Sequence, residues 1–188
     1  MAPVTLRTAR LVLSPPTLAD AAAITDAAQD PVVPRWTTLP SPYALSDAEG
    51  FIAKAAAGWD AETELNWAIR ADDHWVGMLG LHRLERGGAA EIGYWMAAAA
   101  RGHGYLTEAA GAVIDFAFDS DGLALERIEW RAVVGNVPSA RAARALGFRY
   151  EGLVRQGLVG PRGRDDGWIA GLLATDDRAP RPWPVLDA

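Results

Sequence analysis

Three short stretches hold the residue types from which chemistry could be built. The first is Arg101-Gly102-His103-Gly104-Tyr105-Leu106-Thr107-Glu108-Ala109, which follows a strand-like run from Glu91 to Met96 and four alanines. A glycine turn opening a helix presents unpaired backbone N–H groups at the positive end of the helix dipole. Glycine also lets an anion approach without a Cβ in the way. This is a phosphate-binding design. It is not a Walker loop, because no G-K-[ST] follows, and not a dinucleotide fingerprint, because the third glycine is absent. A chain with 19 glycines contains G-x-G triplets by chance, so the weight comes from context: a strand before and an amphipathic helix after.

The second stretch, Gly135-Asn136-Val137-Pro138-Ser139, leaves a strand and enters a helix. Asn136 and Ser139 at a helix start either cap it, as Asn and Ser do best, or face a ligand. The third is the strand around Glu91. Ile92, Tyr94 and Met96 point one way along it, and Glu91, Gly93 and Trp95 the other. A carboxylate among apolar neighbours is a stronger base than one in water. The plain alternative for Glu91 is an ion pair with an arginine at the sheet edge.

Other chemistries are excluded by what the chain lacks. It has no Cys, hence no thiol nucleophile, disulfide framework or thiolate zinc site. Lys54 is the only lysine beside 17 arginines, which leaves little room for Schiff-base chemistry. His74, His82 and His103 are widely spaced with no H-E-x-x-H, so no metal site is expected. His103 inside the glycine turn reads as a surface side chain, and His74 and His82 as ordinary ones. A net charge of −6 argues against a nucleic-acid partner. No apolar run reaches about 18 residues and no secretory signal opens the chain, so no membrane partner is expected and the cytoplasm is the expected location.

These residues must be positioned by a mixed set of elements. Leu6 to Leu13 reads as a strand, and Thr17 with Asp20 as a capping box for a helix to about Ala28. Asp30 to Pro42, with four prolines, reads as loop. Ser46 with Glu49 reads as the cap of a second helix to about Ala57. Leu65, Trp67 and Ile69 alternate as a strand. Val76 to Leu84 and Glu91 to Met96 form a hairpin across Gly87-Gly88. Leu106, Ala110, Val113, Ile114 and Ala117 make one apolar helix face. Ile128 to Val134 is a strand, Pro138 to Leu146 a helix, and Phe148 to Val154 and Trp168 to Thr175 two last strands around the turn-rich Gly160 to Gly167. The fold class is α/β (α+β), with a mixed central sheet of about six or seven strands flanked by helices. Residues 1–175 read as one domain and 176–188 as a Pro-rich C-terminal tail, ordered only if Trp183 docks.

In order and spacing the chain resembles the GNAT superfamily of N-acetyltransferases, and within it the RimJ/RimL-like group. The matching pieces are Arg10-Leu11-Val12-Leu13, Trp67-Ala68-Ile69-Arg70, Glu91-Ile92-Gly93-Tyr94-Trp95, the glycine turn, Gly135-Asn136-x-x-Ser139, and Leu146-Gly147-Phe148 followed by Glu151-Gly152. They cover about residues 5 to 175. One departure is Ala99, where the superfamily pattern has Gln or Arg; the turn acts mainly through backbone amides, and Arg101 is placed to supply charge instead.

The resemblance implies a V-splayed sheet binding acetyl-CoA as co-substrate, with no metal. Pyrophosphate would lie on the turn Arg101, Gly102, His103, Gly104 and Tyr105. Pantetheine would pair with the backbone of Trp95, Met96 and Ala97, and Asn136 would contact it. The implied reaction is direct acetyl transfer to a primary amine in a ternary complex, with Glu91 as candidate base and Ser139 near the departing sulfur. Relatives with a carboxylate after the Gly-Phe pair have no counterpart in Arg155-Gln156-Gly157-Leu158, so the base could be water-relayed, with Glu91 only positioning the amine. Trp36 and Trp67 are candidate walls of the acceptor site. Three functions remain open: a protein N-terminal acetyltransferase, a small-molecule amine acetyltransferase, and a catalytically silent CoA-binding module. A monomer or homodimer is expected.

Overall fold

In the computed structural model of the chain, which describes residues 1–160 and 163–187, the alternating runs become one eight-stranded sheet. Residues 161 and 162, within the turn expected between Gly160 and Gly167, and residue 188 of the tail lie outside the described residues. The strands are β1 (Leu6–Arg7), β2 (Leu11–Ser14), β3 (Leu65–Ala71), β4 (His74–His82), β5 (Ala89–Met96), β6 (Arg127–Val133), β7 (Arg149–Gly160) and β8 (Gly163–Leu173). They lie in the order β1-β2-β3-β4-β5-β6-β8-β7. All neighbours are antiparallel except β5 and β6. A parallel pair needs a crossover, and α4 (Tyr105–Phe118) supplies it. The other helices are α1 (Ala21–Ala28), α2 (Val33–Trp36), α3 (Leu45–Ala61) and α5 (Val137–Ala145).

Eight strands stand where six or seven were expected, because the run from Leu6 to Leu13 is folded on itself. The Thr8 N–H donates to the Leu11 carbonyl at 3.0 Å, and the Leu11 N–H donates to Thr8 Oγ1 at 3.0 Å. This reverses the chain and pairs β1 with β2. The capping box at Thr17 forms as read: Asp20 Oδ2 accepts from the Thr17 N–H at 2.7 Å. The start of α3 differs. Its cap residue is Ala44 rather than Ser46, because Asp47 sits at the third helical position and reaches back to the Ala44 N–H at 2.8 Å. The helix then runs to Ala61, four residues past the expected Ala57. The Asp30 to Pro42 loop contains the single turn α2, which tolerates Pro34 near its start because the first N–H groups of a helix have no intrahelical acceptor.

Helices cover both faces of the sheet. Ala109, Ala110, Val113, Ile114 and Ala117 of α4 pack on Ile92, Met96, Ile128 and Trp130. Across the sheet, Ile24 of α1 and Ala48 and Ile52 of α3 pack on Ala68 and Met78. A strand covered on both faces is buried throughout, so β3 hides Ala68 as fully as Trp67. Beyond Asp176, the tail docks through Trp183. Its ring is fully buried, 5.5 Å from Trp130 and 5.6 Å from Tyr150, and its Nε1–H donates to the Phe148 carbonyl at 3.1 Å. Among the described residues no helix is long and apolar enough to cross a membrane.

The feature that positions the site is a failure of pairing. β5 and β6 are bonded only from Ala89↔Arg127 to Ile92↔Trp130. Beyond Ile92, β5 continues with β4 to Met96, while β6 follows β8 to Val133. The two strands diverge and open the sheet into the expected V.

Candidate active site

A cavity of about 550 Å³ fills the V and is lined by residues of β3 to β8, α2, α3 and the start of α5. Its open side exposes strand backbone. The Ala97 N–H is taken by the Val76 carbonyl of the β4 side at 3.0 Å. Backbone groups alternate along a strand, so those of Tyr94 and Met96 face the divergent side. Of the three residues expected to pair with a ligand, Trp95 and Ala97 thus turn their backbone to β4. Met96 faces the gap, and Tyr94 joins it. The Met96 carbonyl accepts from Arg101 at 3.0 and 3.2 Å.

The glycine turn lies at one mouth of the V. Gly102 and Gly104 have φ of 79° and 77°, where a side chain is strained, and Gly104 caps α4. Among the described residues no backbone carbonyl takes the amides of residues 102 to 107. Six donors at the start of a 14-residue helix make a ready anion site.

Arg101 does not point into this cradle. Its guanidinium pairs with Asp30 at 2.8 Å and with the Met96 carbonyl, so its charge is met within the protein. The Val32 amide and Arg101 together hold the Asp30 carboxyl below its usual range. The cation beside the turn is Arg10, whose Nη1 donates to the His103 carbonyl at 3.1 Å and whose guanidinium lies 4.9 Å from the Tyr105 ring centre. The His103 ring stacks on Tyr105 at 5.5 Å, on the exposed rim.

Arg10 is fixed by Glu108 in the first turn of α4, at 2.6 Å. Hydrogen bonds from the Thr8 hydroxyl and then from Arg10 hold the Glu108 carboxyl below its ordinary value. A carboxyl lowered in the folded state contributes stability above its unfolded pKa, which is lost as pH falls through the folded value. The Glu108→Gln variant is therefore expected to melt below the wild type at pH 7, with the gap closing through the acid carboxylate range in a thermal series.

At the apex of the V three side chains form a directed chain. Trp130 Nε1–H donates to Ser139 Oγ at 3.1 Å, the Ser139 hydroxyl to Tyr94 Oη at 3.3 Å, and the Tyr94 hydroxyl to the Ser139 carbonyl at 3.2 Å. Burial pushes the Tyr94 phenol up to about 12, despite its bonds with Ser139 and Trp130. Asn136 is both a cap and a lining residue: its Oδ1 accepts from the Ser139 N–H at 3.3 Å, and the residue borders the cavity.

The opposite face of the sheet forms the other half of the cavity. Glu91 lines it, but its Oε2 is 2.8 Å from Arg83 and 3.8 Å from Arg131. Trp36 of α2 lines it as well, with the Arg35 guanidinium 4.5 Å from its ring centre. Trp67 does not. It is fully buried on the α4 side, edge-on to Trp59 at 5.0 Å and Phe116 at 6.2 Å, with its Nε1–H bonded to the Val4 carbonyl at 2.9 Å. The expectation that Trp67 walls the acceptor site therefore fails, because both faces of β3 are covered and its ring packs into the core. No group of His, Asp or Glu able to hold a metal occurs among the described residues.

Two residues near the site escaped the sequence reading. Tyr94 was readable only as one of the apolar side of β5, although a buried tyrosine hydroxyl needs a partner. Arg10 carried no local signal, because Glu108 lies 98 residues further on.

Residues 10–149 match the family profile described as an acetyltransferase (GNAT) domain. YdaF of Bacillus subtilis (strain 168), whose name carries the words "ribosomal N-acetyltransferase", is 40% identical over 88 residues, 46% of this chain. The chain spans about half of that relative, 47% of its length. The uncharacterized N-acetyltransferase p20 of Bacillus licheniformis is 31% identical over 155 residues, covering 80% of this chain and 85% of p20. Among solved structures, RimJ of Mycobacterium smegmatis in complex with CoA-disulfide superposes with a TM-score of 0.80 at 25% identity, covering 92% of this chain and 87% of RimJ. The chain belongs to the GNAT acetyltransferase family.

Proposed function

We propose that this GNAT-family chain transfers the acetyl group of acetyl-CoA directly to a primary amine. The observation that carries the reading is the divergence of β5 and β6 after Ile92, with six free amides at one mouth and hydroxyl groups at the apex. Pyrophosphate would rest on the amides of residues 102 to 107, with Arg10 alongside. The pantetheine arm would run along the backbone of Tyr94 and Met96 as an added strand, beside Asn136. The thioester would then reach the apex, where the acceptor arrives from the face of Glu91 and Trp36.

Three things must happen there. The amine must lose a proton to gain a lone pair. The thioester carbonyl must be polarised as it becomes tetrahedral, which a free strand N–H such as that of Met96 can do. The sulfur must then leave as a thiolate or thiol. Tyr94 stays protonated throughout the working range, because its phenol is pushed up to about 12. A thiol has a pKa of about 8.5, so full proton transfer from Tyr94 is uphill by some 3.5 units, about 5 kcal/mol. Tyr94 therefore acts as a hydrogen-bond donor to the departing sulfur by turning its single O–H away from the Ser139 carbonyl, with Trp130 and Ser139 donating along the chain behind it.

The word "ribosomal" in the name of YdaF favours a protein amino terminus as acceptor. The test is an acetyl-CoA assay over N-terminal peptides and a panel of small amines, read by mass. A gain of one acetyl group on any of them supports the transferase reading, and the preferred class identifies the acceptor. Acetyl-CoA binding with no product from either set would leave the chain a silent binding module.

A further inference from the structure

Glu91 is engaged by two guanidinium groups, yet the same face of the sheet carries a second polar cluster. His82, the last residue of β4, lies directly across from Glu91. Its Nδ1 is 3.3 Å from Glu64 Oε2, and Glu64 Oε1 is 2.9 Å from Lys54 Nζ of α3. Its Nε2 has no protein partner among the described residues. That nitrogen lies over two glycines: a Cβ at Gly80 would come within 2.9 Å of it, and one at Gly93 within 3.1 Å. Gly93 is the first residue of β5 past the last β5–β6 rung, so the ring reaches the opening of the V. Larger residues at either position would push the imidazole away.

Beside it, Asn66 is buried on β3, opposite Gly80. Its Nδ2 has no hydrogen-bond partner, the one such buried side-chain donor among the described residues. Buried donors are nearly always paired, so an unpaired one in a cavity wall points to a partner that arrives with the ligand. A carboxylate accepting from Nδ1–H fixes the imidazole tautomer and leaves Nε2 as a lone pair. Burial alone would raise Glu64, but Lys54 and then His82 outweigh it, and the carboxyl lies below its usual range. It is therefore an anion able to hold that tautomer.

We propose that His82 is the general base for the acceptor amine, with Glu64 as its positioning residue. This rests on the acetyltransferase reading above. His82 Nε2 takes one proton from the ammonium, giving a neutral amine and an imidazolium. The amine nitrogen forms the C–N bond while the C–S bond breaks and its electron pair goes to sulfur. The second proton of the new amide nitrogen passes to the thiolate to give CoA-SH, and His82 returns its proton to solvent. The charged groups facing His82 are Glu64 ahead of β3, Lys54 of α3 through Glu64, Glu91 of β5, its neighbour Arg83, and Arg131 of β6 beyond Glu91.

The test uses the full chain with acetyl-CoA and the amine that the panel identifies, over pH 6 to 10. His82→Gln is expected to lower kcat at pH 7 about 100-fold, with the KM for acetyl-CoA and the melting temperature unchanged. The loss should shrink as the pH rises past the pKa of the amine, which then needs no base. Glu64→Gln, which keeps the shape, should shift the acid limb of the profile and lose less. A His82→Gln enzyme with wild-type kcat at pH 7 would overturn the assignment. So would a loss that stays constant across pH, which marks a structural role. Should His82→Gln melt early, an unshifted acid limb in Glu64→Gln overturns it instead. Turnover by the wild type tests the transferase reading separately, and its absence overturns both.

Discussion

Tyr94→Phe is expected to lower kcat about 100-fold, the scale seen when one preorganised donor is removed from a developing anion. The substitution deletes one oxygen and leaves the ring packed, so the KM for acetyl-CoA and the melting temperature should change little. Direction matters here. Trp130 donates to Ser139 and Ser139 to Tyr94, whose own proton rests on the Ser139 carbonyl, so Tyr94 is the one hydroxyl of the chain that can turn its proton to the sulfur without breaking the bonds behind it. Ser139→Ala removes a supporting bond rather than that hydroxyl, and its loss should be the smaller of the two. The phenol, pushed up to about 12, stays protonated through pH 9, so the wild type should show no basic limb from this group. Steady-state kinetics of both variants from pH 6 to 9 check the ranking. Equal activity of Tyr94→Phe and wild type would remove the hydroxyl from the reaction.

The largest effect on stability is expected from Trp183→Ala. The ring is fully buried between Trp130 and Tyr150, and its Nε1–H is bonded to the Phe148 carbonyl. Truncating a buried aromatic of this size costs about 3–5 kcal/mol. For a chain of this length that corresponds to a drop of about 6–20 °C in melting temperature. Trp183→Phe keeps most of the packing but loses the hydrogen bond, and should fall in between. A thermal melt of the three proteins reads the order directly. An unchanged midpoint for Trp183→Ala would mean that the docked tail contributes nothing to the fold.

What could be read from the sequence was what local residue types determine. Gly102 and Gly104 do adopt positive φ ahead of a helix, because that backbone conformation depends on the residues themselves. The apolar face of α4 and the alternation of β3 and β6 were legible for the same reason. Contacts between distant segments were not. Arg10 meets Glu108 and Arg101 meets Asp30 across large sequence separations, so the nearer candidate, Arg101, was given the role that the structure leaves open to Arg10. Alternation marked β3 as a strand but not that both its sides are covered, which is why Trp67 is core and not a wall of the cavity. His82 looked ordinary because Glu64, 18 residues earlier, and the two glycines beneath its ring become neighbours only once β3, β4 and β5 pair.

The Arg101–Asp30 ion pair ties the glycine turn to the segment that leads, six residues on, to Trp36 in the cavity wall. One ligand that orders the turn thereby restrains the wall on which the other must rest. Linkage is reciprocal, so whatever factor the first ligand adds to the affinity of the second, the second returns to the first. On the transferase reading proposed above, the two substrates would then share one equilibrium before they touch. Cutting the tie with Asp30→Asn should separate their affinities and leave each site intact.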